Sequence, residues 1–149
     1  MKNKFNRILA LLLALSLLAL VSCGASDATA TGSITLVVAG EQTAEYEVEL
    51  DGLDLTKGVI AVLVKLKADG KLDYAMNGTM LESVGGVRND AEANKWIYIY
   101  TSVMADADVS VYAMTVEYKG QTLTSSGVGA LEMHIEDGAV IYITTVSWS

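Results

Sequence analysis

An apolar run from Ile8 to Val21, broken only by Ser16, follows a basic stretch at Met1 to Arg7 and stops just short of the chain's single cysteine, Cys23. A membrane span needs about twenty apolar residues. Fourteen residues behind a basic flank have the dimensions of a signal peptide instead, so residues 1–22 are expected to be removed. The fold must then be built from the remaining 127 of 149 residues, enough for one packed core and too few for two. Three of the ten basic residues leave with the leader and all eighteen acidic ones stay, so the remaining chain carries a net charge of −11. Such a surface repels phosphate backbones and anionic headgroups, which disfavours nucleic-acid binding and electrostatic docking to membranes. One cysteine and one histidine exclude a disulfide scaffold within the chain, and with it any metal site that needs paired Cys or His ligands.

The run closes in Leu20-Val21-Ser22-Cys23-Gly24, which resembles the lipobox of bacterial lipoproteins. The resemblance implies that the Cys23 thiol is alkylated with a diacylglyceryl group and that the bond before it is cut, so that Cys23 becomes a lipid anchor in the membrane. Two acyl chains give the stable attachment that one chain does not. Residues 23–32 are then the lipidated cysteine and its tether: Gly24 to Ser33 (GASDATATGS) is small, polar and without hydrophobic periodicity. Residues 33–149 form the domain, which lies outside the cytoplasm.

Within it, Ser33 to Ala39 is β-branched and apolar, Gly40 to Gln42 is a break, and Tyr46, Val48 and Leu50 alternate with Glu47 and Glu49, the pattern of a hairpin with one wet face. Leu53 to Lys67 fits two templates. Val59, Val62, Leu63 and Leu66 have helical spacing, with Thr56 as a candidate N-cap, whereas Ile60, Val62, Val64 and Leu66 alternate like a strand. Asp69-Gly70 ends the segment in either case. Asn77-Gly78 marks a turn, Thr79 to Val84 a strand, Gly85-Gly86 a break and Arg88 to Lys95 a polar loop. Trp96 to Thr101 is the strongest strand, with Trp96, Tyr98 and Tyr100 on one face and Ile97 and Ile99 on the other. Strands are also expected at Val109 to Tyr118, Gln121 to Ser125, Leu131 to Ile135 and Val140 to Val146, with a hairpin turn at Lys119-Gly120. The domain is expected to be mainly antiparallel.

The hairpin, the candidate helix, Met80 to Val87 (MLESVGGV), Asn94 to Thr101 (NKWIYIYT) and the closing Glu136 to Tyr142 (EDGAVIY) together resemble the transcobalamin-like C-terminal domain family over about residues 33–146. Members are β-grasp domains, common in lipoproteins and surface proteins of Gram-positive bacteria. The resemblance implies an α+β fold, β-grasp-like, with one helix at Thr56 to Ala68 covering the sheet and burying Val59, Val62, Leu63 and Leu66. In vitamin carriers the related domain closes over cobalamin together with a larger helical domain. Against that family, this chain is expected to lack the helical domain and to carry an insertion at Asp106 to Gly129.

Trp96, Tyr98 and Tyr100 are the candidate ligand-binding residues, a flat stacking surface with polar tips. The insertion could equally cover them and make them core. Asp106, Asp108 and Glu117 fall at positions one, three and twelve of a calcium loop, but Val111 stands at the glycine hinge, so no metal is expected there. His134 is the sole imidazole, with Ser125 and Ser126 near it in sequence and Glu132 and Glu136 beside it on one face of the expected strand. This reads as a solvated edge without a nucleophile elbow or a metal-ligand helix, and no enzyme is expected. Gly127-Val128-Gly129 is no phosphate loop, and Asn77-Gly78-Thr79, although a glycosylation sequon, is read as a turn. The expected role is a lipid-anchored surface module that binds a corrinoid or another planar or glycan ligand, presented to a transporter, with no resident cofactor. The alternative is a structural or adhesive module with protein partners.

Overall fold

The computed structural model describes residues 30–148. The leader, the lipobox with Cys23 and most of the tether lie outside the described residues.

Strand β1 (Ser33–Ala39) and strand β2 (Thr43–Glu49) form the expected antiparallel hairpin. On β2 the three glutamates face water and Val48 is buried, so the alternation read from the sequence is the alternation of the pleat. A 3-10 turn at Leu55–Lys57 then leads into helix α1 (Val59–Ala68). The helical template prevails over β-propensity because Val59, Ile60, Ala61, Val62, Leu63 and Leu66 are all buried, leaving Val64 exposed.

Thr56 is not the N-cap. That position is Gly58, and Thr56 Oγ1 donates to the Asp54 carboxylate within the preceding turn. The first helical N–H, on Val59, instead donates to the Ala130 carbonyl at 2.9 Å, supplied by a distant loop. At the other end Gly70 at φ 68° closes a Schellman motif: Lys71 N–H donates to Leu66 O at 2.9 Å and Gly70 N–H to Lys67 O at 3.0 Å.

A small sheet follows, with β4 (Met80–Val84) between β3 (Tyr74–Asn77) and β5 (Val87–Arg88). The remaining strands are β6 (Lys95–Thr101), β7 (Thr115–Tyr118), β8 (Gln121–Ser125) and β9 (Val140–Ser147). They join β1 and β2 in a six-stranded sheet of order β2-β1-β9-β6-β8-β7. All its pairs are antiparallel except β1 with β9, so the sheet is mixed and the fold is α+β.

One expected strand is shortened and another is absent: of Val109 to Tyr118 only Thr115–Tyr118 is a strand. Val109 to Ala113 pairs with no strand: Asp108 accepts from Ser110 N–H at 2.8 Å to turn the chain, and Val109 and Val111 are 96% and 93% exposed. Leu131 to Ile135 also pairs with no strand. Its alternation is real, with Met133 and Ile135 buried and His134 exposed, but it belongs to an extended segment lying on the core.

Helix α1 packs with one face of the large sheet, where Ile34, Leu36, Val38, Ile141 and Ile143 are buried and Ile97 and Ile99 complete the main core. The opposite face carries a second, smaller core of Tyr100, Leu123 and Val140, flanked by Tyr98, Met114, Val116, Tyr118 and Tyr142. The β7–β8 hairpin builds it. It pairs with β6 only through Tyr100 and Thr101, so it is free to leave the sheet, and its tip reaches the far edge strand. There Lys119 Nζ meets Glu45 Oε1 on β2 at 2.7 Å. Both tip residues, Lys119 and Gly120, have positive φ, as the tight two-residue hairpin turn requires.

Candidate functional site

Strand β6 carries the aromatic stripe on one pleat, as expected, with Ile97 and Ile99 turned to the main core. The folded-over hairpin divides the stripe. Tyr100 is 5% exposed, its ring 6.3 Å from Tyr142 in an edge-on contact, and burial pushes its phenol above the ordinary value. Tyr100 is therefore a core residue and not part of a contact surface. Tyr118 on β7 also meets Tyr142, its ring tilted with centroids 6.1 Å apart, a contact that helps hold the hairpin down.

Toward the start of β6 the stripe stays half-open. Trp96 and Tyr98 are half-buried, and Trp148, 45% exposed, lies 6.1 Å from Tyr98. Asn94 ties the group together. In the left-handed region at φ 48°, it accepts from the Trp96 indole N–H at 3.1 Å through its side-chain oxygen. Its amide donates to the Trp148 carbonyl at 2.6 Å, while its own carbonyl accepts the Trp148 N–H at 3.0 Å. Three aromatic residues thus lie together at the end of β6 and β9, all partly exposed, with the Trp96 donor already satisfied. Such a patch can stack a planar group or the apolar face of a sugar.

His134 has a different partner from those its sequence neighbours suggested. Asp106, 1% exposed, accepts from the His134 backbone N–H at 2.6 Å and meets His134 Nδ1 at 2.6 Å. The hydrogen bond to this carboxylate, and then its charge, hold the imidazole above its ordinary value of 6.5. The serines take no part: Ser125 Oγ accepts from Met114 N–H at 3.0 Å, and Ser126 Oγ donates to Val128 O at 2.9 Å. Both hydroxyls brace loops, and neither is bonded to His134. The buried Asp106 carboxylate points to His134, and Glu117 sits on β7 beside Thr122, so the acids spaced as a calcium loop do not converge. No group of three or more His, Cys, Asp or Glu side chains that could hold a metal ion occurs among the described residues.

Because the pKa of His134 is raised on folding, its pairing with Asp106 stabilises the fold fully below the unfolded value, and that contribution is lost as pH rises through the folded value. The melting temperature of wild type should therefore exceed that of His134→Gln by most near pH 5.5 and by least near pH 8.5, both about two units or less from the ordinary histidine range. Parallel melts of the two proteins across this window check it, and a pH-independent difference would remove the charged pair from the account.

The sequence offered Asp106 only as a calcium-loop position, not as the partner of His134, and did not single out Asn94. Asp106 lies 28 positions from His134, and Asn94 was one polar residue in a polar loop. No model of a known protein family matches the chain, and no curated protein matches its sequence.

Proposed function

We propose that this chain is a β-grasp domain of the transcobalamin-like C-terminal kind, tethered outside a bacterial membrane through lipid on Cys23, and that it binds a planar or glycan ligand, a corrinoid among the candidates, without transforming it. The fold assignment is supported by the sheet order β2-β1-β9-β6, its parallel central pair and the single helix between β2 and β6 among the described residues. The observation that carries the binding reading is the half-open patch of Trp96, Tyr98 and Trp148, locked by Asn94 on the face opposite the helix.

Calorimetric titration with cobalamin and a glycan panel tests it. A stacked aromatic contact is worth about 0.5–1.5 kcal/mol beyond its buried area, so Trp96→Ala should weaken a true ligand about tenfold. Since Trp96 is only half-buried, the variant should melt close to wild type. No binding by wild type to any probe would defeat the proposal.

The anchor has its own test. Cys23→Ala should leave the precursor uncleaved at that position, so that it migrates more slowly than wild type and takes up no labelled fatty acid, whereas unchanged migration and labelling would remove the lipid from the proposal.

A second reading, a module with protein partners, is favoured by the Val109 to Tyr112 turn. Val109, Val111 and Tyr112 are 96%, 93% and 80% exposed there, more apolar surface than a solvated loop needs. Loss of partner capture by Val111→Ser with small-molecule binding intact would select that reading.

A further inference from the structure

The backbone of β6 is only partly satisfied on the side away from β9. In a strand, the N–H and C=O of one residue point to the same side. Lys95 exchanges both groups with Asp90 at 2.8 Å, Ile97 N–H donates to Asn89 Oδ1 at 2.7 Å, and Ile99 C=O accepts from Ser126 N–H at 2.7 Å. Lys95, Ile97 and Ile99 therefore all present their peptide groups to the edge away from β9. Two groups on that edge, Ile97 C=O and Ile99 N–H, have no partner among the described residues.

The surroundings are built around this gap. On one side the Asn89 side chain stands where a neighbouring strand would, and its amide also donates to Leu81 O on β4 at 3.0 Å. On the other side Ser126 and then β8 resume the pairing. Between them opens a cleft of about 370 Å³, within the range of ligand sites, whose walls include Met80, Leu81, Ser126 and Val128. No charged side chain lines it.

We infer that this gap in the β6 edge is a docking slot for an extended peptide, uncharged where it enters and cationic at its ends. A residue of a parallel strand donates its N–H to the C=O preceding its opposite number and accepts from the N–H following it. With Tyr98 as the opposite number, one peptide residue satisfies both Ile97 C=O and Ile99 N–H. Asn89 and Ser126 close the slot at its two ends, so the pairing is short and no long strand is added to the sheet. The apolar walls take a small or branched side chain, and the net charge of −11 on residues 23–149 steers a cationic peptide to it. Tyr98 lines both the cleft and the aromatic patch, but the groups that the slot pairs, Ile97 C=O and Ile99 N–H, are backbone groups of the β6 edge and not the rings proposed above to stack a ligand.

The test uses the full chain, ¹⁵N-labelled in detergent micelles, and the acetylated, amidated pentapeptide Lys-Val-Ala-Val-Lys. In the free protein the Ile99 amide should exchange with solvent faster than the paired amides of Tyr98 and Tyr100, and peptide should shift it and slow its exchange. The same peptide N-methylated at the alanine, which lacks the donor for Ile97 C=O, should bind about tenfold more weakly. Val128→Trp, which fills the cleft, should lose binding. An unmoved Ile99 amide at saturating peptide, equal binding of both peptides, or unimpaired binding by Val128→Trp would overturn the proposal. If that variant does not fold, the two peptides on wild type decide. A dimer in which the Ile99 amide is protected without peptide would also overturn it, by giving the slot to a second copy.

Discussion

Gly58→Ala is expected to unfold at a much lower urea concentration than wild type. Gly58 sits at φ 55° and ψ −140°, a backbone state that side-chain-bearing residues avoid. A Cβ there would lie 2.5 Å from Ala130 O and 2.9 Å from Leu131 C, both backbone atoms, so no rotamer change relieves it. The clash falls on the carbonyl that receives the first helical N–H, and moving Ala130 away would strip α1 of that acceptor. Backbone strain of about 1–3 kcal/mol and a displacement of similar cost together give about 2–6 kcal/mol. Urea titration followed by the fluorescence of Trp96 and Trp148 measures it. A midpoint equal to that of wild type would show that the loop at Ala130 yields freely.

Leu63→Ala should be comparably severe. Leu63 is fully buried in the middle of α1, and truncating such a residue costs about 2–5 kcal/mol, the spread depending on how far the cavity collapses. Its neighbour supplies the control. Val64, 49% exposed on the same helix, should tolerate alanine within about 0.5 kcal/mol, since alanine is also the better helix former. Thermal melts of the two variants read the contrast directly, and equal losses would mean that the helix presents a different face to the sheet.

These two positions also mark what sequence reasoning reaches. Leu63 is legible because helical spacing of Val59, Val62, Leu63 and Leu66 predicts its burial, and β1 and β8 are legible because composition and flanking turn residues both change at their ends. Gly58 is not, because its role depends on Ala130, 72 positions away, approaching within hydrogen-bonding distance. The same limit explains the site. One pleat for Trp96, Tyr98 and Tyr100 follows from period two alone, but which of them stays open depends on where the β7–β8 hairpin lands. Asn89 and Asn94 work through backbone that is distant or non-regular, for which a polar loop carries no signal. The misread segments have a related cause: alternation alone does not make a strand, since the chain turns at Val109 to Tyr112 and runs on from Met133 to Ile135 without a neighbouring strand. The pairing is mainly antiparallel as expected, and its one exception, β1 with β9, carries no local mark in the sequence.

That parallel pair bears on when the molecule can assemble. β1 opens the domain and β9 closes its described residues, yet they lie side by side at the centre of the sheet, with Leu36 opposite Ile141 and Val38 opposite Ile143. A chain emerging from the ribosome N-terminus first has nothing to fill the middle of its sheet until more than a hundred further residues have been made. Hairpins and helix can form early, but each does so without its core. The nascent chain accordingly lacks the strand that joins its two halves throughout synthesis, and the sheet can close only once β9 is released.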